Sequence, residues 1–282
     1  NKNVIFVSNI NYANVLSCLI LKRIKNLKLI LVERTPLQEL EIYKNFLDYF
    51  KKKVILIMAR FFYVKADYVI GNSYSVSSYI SKKINIKVKT IYPLIKIYKS
   101  KRKKKKKILN ITWIGRFSME KNLDDFLKAL NHIETENYKV NIVTNVNIIK
   151  YVKNICHKNI YKKLNIFYFK NDMKFLRKIY KLTDIYVSTS IYEGFPNTIV
   201  EAVCNECLII TSNSFGGCKE IIKNENYGLK YNTFNYMQLS KKINFAIKNF
   251  GNCKIKIKYA KKKLLRMAKT NNLKYNEFFG KL

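Results

Sequence analysis

The sequence predicts an α/β protein with two parallel-sheet domains. Short apolar runs alternate with helix-patterned stretches along most of the chain, and this alternation is typical of a parallel sheet covered on both faces. The 282 residues, 48% of them hydrophobic, are enough to build two modest cores. A basic run at residues 101–107, KRKKKKK, interrupts the alternation and repels itself, so it predicts a solvated linker between the domains.

The first domain, residues 1–100, contains four strand-like runs. They are VIFVS, LKLILVE, ADYVIGNS and VKTIYP. The stretch KVILIMARFFYV stays open between strand and helix, because periodicity alone does not decide a short apolar run. Since the chain begins at Asn1 and enters a strand at once, we expect this domain to be truncated.

The second domain, residues 108–254, alternates more regularly. Its predicted strands are ILNITWIG, KVNIVT, LNIFYF, DIYVSTS and CLIITSN. Its predicted helices are NLDDFLKAL, NIIKYVKNI, MKFLRKIYKL, TIVEAVCN and CKEIIK. In the first of these helices, i, i+3, i+4 and i+7 spacing places four apolar residues on one face, namely Leu123, Phe126, Leu127 and Leu130. Residues 255–282 are predicted to form a C-terminal helix that packs back on the first domain.

The formal net charge of +37 leaves two interpretations open. A field of that sign attracts nucleic acid, anionic lipid or phosphorylated substrates, but Lys, Asn, Ile and Tyr are abundant throughout, as a biased genome composition would also produce. The longest apolar runs are far shorter than the roughly 20 residues that span a bilayer.

The six cysteines are scattered along a chain that is long enough to need no disulfide scaffold, which favours a reducing, cytoplasmic setting. Cys204 and Cys207 form a CxxC, but a second CxxC is lacking and neither histidine has a partner at metal-ligand spacing. We therefore expect no metal site and no cofactor.

Polar segments follow four predicted strands of the second domain, where ligands of open parallel sheets bind. GRFSMEKN supplies Gly115 for a tight turn and two cations, Arg116 and Lys121, suited to a diphosphate. Asn171 lies in a polar turn after NIFYF. EGFPNT follows DIYVSTS, and Gly216 and Gly217 follow CLIITSN.

These segments resemble glycosyltransferase family 4, the group 1 retaining glycosyltransferases of the GT-B fold. The resemblance rests on E-x7-E, formed by Glu193 and Glu201 after S-x-x-E-G-F-P, and on the upstream G-R-x-x-x-x-K that ends at Lys121. FFYVKADYVIGNSYSVSSYI and KTIYP are also similar to the family, so the likeness covers nearly the whole chain. One departure is Glu206, which stands where the family commonly ends a helix with glycine.

The resemblance implies two Rossmann-like domains facing a cleft that binds a nucleotide sugar, with a UDP-sugar favoured. Glu193, Arg116 and Lys121 would be the catalytic residues. The donor would contact ten further positions: Gly115, Asn171, Gly194, Phe195, Pro196, Asn197, Thr198, Glu201, Gly216 and Gly217. Arg34 and Ser73, after strands of the first domain, are the acceptor-side candidates, and VERTP is similar to the SERN of relatives that act on lipid-linked oligosaccharides.

Several of these residues have a structural alternative. Thr198 and Glu201 fit a Thr-x-x-Glu capping box, in which the glutamate only satisfies its own helix terminus. Arg116 fits an ion pair with Glu120, and Ser73 fits the N-cap of the helix that follows it.

The expected function is transfer of a hexose or N-acetylhexosamine, with retention, to a hydroxyl of a glycan or lipid-linked acceptor in cell-surface polysaccharide or glycoconjugate biosynthesis. We expect a cytoplasmic protein, with peripheral contact between the lysine run and the anionic inner face of the membrane as a further hypothesis. The alternatives are a GT-B-fold nucleotide-sugar epimerase and a basic nucleic-acid-binding protein. The second lacks the interleaved glycines and aromatics of an RNA-recognition surface.

Overall fold

Two parallel sheets with their own helices form the body of the protein in a computed structural model. The structure describes residues 4–21, 23–43, 45–97, 108–169 and 172–281. The predicted linker at 101–107 and the donor candidate Asn171 lie outside the described residues. The predicted α/β class is confirmed, since every strand pair in both sheets is parallel.

The first sheet has four strands in the order of the chain. They are β1 (Val4–Asn9), β2 (Leu27–Glu33), β3 (Tyr68–Gly71) and β4 (Lys89–Thr90). The connecting helices are α1 (Asn11–Leu21), α2 (Phe46–Phe62) and α3 (Tyr74–Ile84), with short 3-10 turns at Leu37–Glu41 and Tyr63–Lys65. The ambiguous stretch KVILIMARFF is helical, and its helix begins where the Asn45 side chain accepts a 2.9 Å hydrogen bond from the Asp48 amide.

The second sheet has six strands in the order β12-β10-β8-β5-β6-β7. They are β5 (Leu109–Ile114), β6 (Tyr138–Thr144), β7 (Leu164–Tyr168), β8 (Ile185–Ser188), β10 (Leu208–Ser212) and β12 (Leu229–Tyr231). A separate two-residue pair joins β9 (Tyr192–Glu193) to β11 (Phe215–Gly216). All five predicted strands are found, whereas β12 and the β9–β11 pair were not predicted.

Helices cover both faces of the second sheet. They are α4 (Leu123–Leu130), α5 (Ile149–Ile155), α6 (Lys158–Tyr161), α7 (Met173–Leu182), α8 (Asn197–Cys204), α9 (Cys218–Ile221), α10 (Tyr236–Lys248) and α11 (Lys254–Phe279). A 3-10 turn at Met119–Lys121 precedes α4. The apolar face predicted for α4 is confirmed, because Leu123, Phe126, Leu127 and Leu130 are all buried against one face of the sheet.

The long helix α11 connects the two cores. Its first half packs Ala260 and Leu264 against the second sheet, and its end packs Phe278 edge-on against Tyr68 of β3 with ring centroids 5.2 Å apart. Between these contacts Asn271, only 2% exposed, donates to the carbonyls of Tyr92 and Pro93 at 3.1 and 3.0 Å and accepts from the Tyr92 amide at 3.1 Å. One side chain thus holds the segment that leaves the first sheet.

We predict that Asn271→Ala lowers the free energy of unfolding by about 2–3 kcal/mol. It removes three hydrogen bonds and leaves the Tyr92 amide without its acceptor. Urea unfolding followed by circular dichroism measures the change. Asn276→Ala, at an exposed position of the same helix, is the control and should change stability by less than about 0.5 kcal/mol. Equal effects of the two substitutions would contradict this role of Asn271.

Candidate functional site

The two domains touch where Gly194 meets Arg34. A methyl group on Gly194 would lie 1.7 Å from the Arg34 carbonyl oxygen and 2.7 Å from the side-chain nitrogen Nδ2 of Asn72. Only glycine allows the backbone of the second domain to approach the first this closely. Both residues follow strands of parallel sheets, so the contact marks the floor of a cleft between the carboxyl ends of the two sheets.

The β9–β11 pair joins two glycine-containing loops of the second domain at this floor. Gly216 has φ +99°, and a methyl group there would lie 1.7 Å from the Glu193 carbonyl oxygen. The Gly217 amide donates to the carbonyls of Glu193 and Gly194 at 3.0 and 3.1 Å. The loops that contain EGFP and SFGG are therefore joined to each other through their backbones.

An ion pair between Glu193 and Lys121 lies at the centre of the site. The Ser190 hydroxyl donates to the same carboxylate oxygen, Oε1, at 2.8 Å. Only 14% of the Glu193 side chain and 19% of the Lys121 side chain are exposed, so solvent screens this pair weakly. The two donors fix the orientation of the carboxylate, and the structure brings together these two predicted catalytic residues.

Lys121 is held in place through the core of the second domain. The buried Trp113 ring donates from Nε1 to Thr189 Oγ1 at 2.9 Å, and that hydroxyl donates to the Lys121 carbonyl at 2.7 Å. A methyl group on Gly115 would lie 2.9 Å from the Trp113 ring, which explains the glycine at the turn after β5. The loops after β5 and β8 are thus joined behind the ion pair.

Arg116 differs from Lys121 in its surroundings. Its side chain is 72% exposed, and its guanidinium contacts the Glu120 carboxylate at 3.0 Å, as the structural alternative for this residue anticipates. An exposed pair of this kind contributes little stability, so the guanidinium exchanges its partner at small cost. The donor role of Arg116 stays a prediction.

The EGFPNT loop presents mainly backbone to the cleft. Phe195 and Pro196 are buried, and the Phe195 ring packs 5.7 Å from that of Tyr92. Asn197 is exposed and begins α8, whose first backbone amides have no partner within the helix. Of the donor candidates in this loop, Phe195 and Pro196 therefore offer only main-chain atoms.

The proposed capping box at Thr198 and Glu201 is wrong. Helix α8 begins at Asn197 with Pro196 in the N-cap position, so Thr198 lies inside the helix and caps nothing. Burial raises the pKa of the Glu201 carboxyl, while the neighbouring Tyr180 hydroxyl and Arg177 guanidinium oppose the rise. Capping of its own helix therefore does not explain why a glutamate is half-buried at position 201.

On the first-domain side, Arg34 is exposed at the edge of the cleft, and its carbonyl accepts a 2.8 Å hydrogen bond from the Asn72 side chain. Ser73 is fully buried, and its hydroxyl accepts a 3.3 Å hydrogen bond from the Val76 amide as the N-cap of α3. The structure therefore shows the capping alternative for Ser73, and the acceptor role of Arg34 stays a prediction.

Behind Arg34 lies a buried carboxyl group that the sequence analysis missed. Glu33 is 0% exposed, and its Oε1 accepts hydrogen bonds from the Tyr63 hydroxyl and from Asn14 Nδ2 at 2.9 Å. Its Oε2 has no hydrogen-bond partner among the described residues. Burial raises the pKa of Glu33 to about 7 against the opposing effect of these two donors. The available signal was a glutamate at the end of the apolar run LKLILVE.

A second missed carboxylate bridges the domains. Glu220 of α9 accepts hydrogen bonds from the amides of Tyr74 and Ser75 at 3.2 and 2.8 Å, in the first turn of α3. It also accepts from the Tyr92 hydroxyl at 2.6 Å. A carboxylate from one domain therefore satisfies the positive helix terminus of the other.

The described residues contain neither a metal-ligand cluster nor a helix that could span a membrane. They contain no group of three or more His, Cys, Asp or Glu side chains placed to hold a metal ion, and all six cysteines are buried and unbridged. Within the same residues, every helix is too short or too polar to cross a bilayer.

Residues 95–263 match the family model for glycosyl transferases group 1, which covers more than half of the chain. An uncharacterized glycosyltransferase of Methanocaldococcus jannaschii is 31% identical over 121 residues, which are 42% of this chain and 30% of that protein. An alpha-1,4-N-acetyl-D-galactosaminyltransferase of Campylobacter jejuni, named for a GalNAc-containing PP-undecaprenol substrate, is 25% identical over 140 residues, 49% of this chain and 38% of that protein. The chain thus spans about a third of the length of these relatives.

Solved structures share the fold. TarM of S. aureus, in complex with UDP, has a TM-score of 0.75 at 17% identity over 90% of this chain and 51% of its own. HepE of Anabaena, in complex with UDP and glucose, has a TM-score of 0.77 at 18% identity over 99% of this chain and 78% of its own. These likenesses confirm the predicted GT-B arrangement of two Rossmann-like domains facing a cleft.

The raised pKa of Glu33 predicts a pH-dependent stability. The folded protein holds this proton up to about pH 7, whereas the unfolded chain releases it near 4.5, so the free energy of unfolding should fall between these values as pH rises. The loss is about 3 kcal/mol. Glu33→Gln mimics the protonated side chain, so its free energy of unfolding should exceed that of the wild type by less than about 1 kcal/mol at pH 5 and by about 3 kcal/mol at pH 8.

Urea midpoints of both proteins at pH 5 and pH 8 measure this difference. Glu134→Gln, at a side chain that is 66% exposed, is the control and should leave the pH dependence of stability unchanged. A constant difference between wild type and Glu33→Gln across this range would show that Glu33 ionises normally.

Proposed function

The chain belongs to the group 1 glycosyl transferases, and from this membership we propose that it moves a sugar from a nucleoside diphosphate sugar to a hydroxyl group of an acceptor. The observation that carries the proposal is the Lys121–Glu193 ion pair, placed beside the contact between Gly194 and Arg34. A cation and a carboxylate at the meeting point of two sheets suit a donor that carries a diphosphate and many hydroxyls.

For the donor, we propose that Lys121 and Arg116 contact the diphosphate and that Glu193 accepts hydrogen bonds from sugar hydroxyls. The backbone of Gly194 to Asn197 would complete the sugar site, because the Phe195 and Pro196 side chains are buried and leave only main-chain atoms of these two residues as partners. Glu201, half-buried and free of a capping role, would accept from the ribose hydroxyls. UDP-sugars are the favoured donors.

The proposed reaction retains the anomeric configuration. The bond between the anomeric carbon and the diphosphate oxygen breaks, and the acceptor oxygen bonds to the same face of that carbon. The acceptor proton passes to the departing phosphate oxygen. Lys121, in its weakly screened site, and the more exposed Arg116 stabilise the charge that develops on the diphosphate.

The acceptor would enter from the first domain, where Arg34 is exposed beside Gly194. A guanidinium there suits the phosphate of a polyisoprenoid-linked glycan, and the named substrate of the Campylobacter jejuni relative is of this kind. We therefore propose a hexosyl- or N-acetylhexosaminyltransferase of family 4 that works at the cytoplasmic face of the membrane in glycoconjugate biosynthesis. Family membership disfavours both the epimerase and the nucleic-acid-binding alternative.

We predict that Lys121→Ala and Glu193→Gln each lower kcat/KM by about 100- to 1000-fold, because each removes a fixed charge from the reacting centre. The measurement is release of nucleoside diphosphate from a panel of UDP-, GDP- and ADP-sugars with a membrane extract as acceptor. Arg116→Ala should have a smaller effect, since its guanidinium is solvated.

The matched control is Lys163→Ala. Lys163 also pairs with a glutamate in the second domain and is 18% exposed, against 19% for Lys121, but it lies away from the cleft on Glu136. The kcat/KM of Lys163→Ala should stay within about twofold of the wild-type value. Full activity in both Lys121→Ala and Glu193→Gln would rule out the proposed donor site. A product whose NMR spectrum shows the anomeric configuration opposite to that of the donor would rule out retention.

A further inference from the structure

The outward side of α2 carries a continuous apolar stripe. Its members recur at i, i+3 and i+4 spacing and share one side of the helix, so they point away from the core rather than into it. They are Phe46 (74% exposed), Phe50 (53%), Val54 (48%), Ile57 (51%) and Phe61 (66%). The opposite side of the helix is the one that packs inward, through Leu56 and Ala59.

Basic residues lie on both flanks of this stripe. At 100° per residue, Lys53 and Arg60 fall on one flank and Lys51 on the other, and all three are exposed. The exposed Lys65 follows in the 3-10 turn after the helix. The sequence of α2 contains a single acidic residue, Asp48, which lies on the far side of the helix and pairs with Lys52 at 2.9 Å. The outward side of α2 therefore combines an apolar centre with cations contributed by the helix, and the carboxylate of Glu41, which lies near Lys53, is already paired with Lys83.

Aromatic rings gather at the beginning of the helix. Tyr43 and Tyr49 lie 4.8 Å apart between ring centroids, Phe46 and Phe50 lie 4.9 Å apart, and Tyr49 and Phe50 lie 5.8 Å apart. Tyrosine rings have an apolar body and a polar end, which suits the boundary between water and lipid acyl chains.

Helix α1 extends the apolar surface. It contains no charged residue, and Tyr12, Leu16 and Ile20 at i, i+4 and i+8 are 46%, 56% and 58% exposed. Both α1 and α2 pack on the same face of the first sheet, against Leu29 and Leu31, so their outer sides face the same direction. An apolar surface of this breadth is unusual on a protein that contacts water alone.

We infer that α2 lies in the surface of an anionic lipid bilayer, with the apolar stripe among the acyl chains and its flanking cations at the lipid phosphates. A helix with an apolar side, cationic flanks and no outward acid has the properties of an in-plane interfacial helix. The flanking cations attract an anionic surface, and the net charge of +37 strengthens that attraction.

Charge also distinguishes lipid from a second copy of the chain as the occupant. A symmetric dimer through this stripe would bring Lys53 and Arg60 of each copy near the same flanks of the other, where α2 itself contributes no carboxylate. A bilayer of anionic lipids covers the same apolar area and places a phosphate opposite each cation. The inference does not depend on the proposed sugar transfer, because it concerns a surface outside the cleft.

The test is co-sedimentation of the full chain with vesicles of phosphatidylcholine alone and of phosphatidylcholine with phosphatidylglycerol at 3:1. We expect binding to the anionic vesicles that weakens with salt. Phe61→Gln should lower the partition coefficient at least fivefold, and Phe50→Gln with Phe61→Gln at least tenfold. Phe234→Gln is the matched control, since Phe234 is 65% exposed on the second domain, and it should stay within twofold.

Charge is tested separately. Lys53→Glu with Arg60→Glu should abolish the preference for anionic vesicles, whereas Lys258→Glu with Lys262→Glu changes the net charge equally at exposed positions of α11 and should retain most binding. Thermal unfolding verifies that each variant is folded. Nucleoside diphosphate release onto a water-soluble acceptor should be unchanged in all of them, which separates this inference from the proposed reaction.

Two results would overturn the inference. One is vesicle binding by Phe50→Gln with Phe61→Gln that equals the wild type. The other is self-association in sedimentation velocity without lipid, lost in the same variant, which would make a second copy the occupant of the stripe.

Discussion

The contact between the Gly194 backbone and the Arg34 carbonyl is the constraint around which the two domains are arranged. It requires main chain from one sheet to touch main chain from the other, and a single methyl group at Gly194 would prevent it. The contact is held from two directions. Glu220 binds the first turn of α3 across the interface, and Asn271 fixes the segment that leaves the first sheet. The cleft is therefore set by backbone approach, and the charged side chains are placed around it.

The chain has 18 acidic residues against 55 basic ones, and it places three buried or half-buried carboxylates in three different ways. Glu193 forms an ion pair with Lys121 and accepts a hydrogen bond from the Ser190 hydroxyl. Glu220 has two amides of a helix terminus and a tyrosine hydroxyl. Among the described residues Glu33 is bound by neither a cation nor a helix terminus, and its raised pKa keeps it protonated below about pH 7 instead. Each solution avoids the large cost of an uncompensated buried charge.

The sequence predicts what depends on local pattern and misses what depends on contacts between distant segments. Apolar runs identified the long strands, and Glu206 was recognised as an unusual residue at a glycine position, where it adopts φ +59° and pairs with Lys261. The β9–β11 pair has only two residues a side, too few for periodicity to register. Glu33 and Glu220 acquire their partners only through the tertiary fold, so no spacing in the sequence marks them.

The meaning of the positive charge follows from its local arrangement rather than its total. On the second domain, several lysines pair with glutamates, as in Lys163 with Glu136 and Lys248 with Glu134. In such pairs the glutamate neutralises the charge of the lysine locally. On the outward side of α2 the helix itself contributes cations but no acid, and these cations border an apolar stripe. Genome composition accounts for many lysines, but it gives no reason for α2 to carry cations on both edges of an exposed apolar stripe and no acid there. Selection for a surface that meets both acyl chains and phosphates gives that reason.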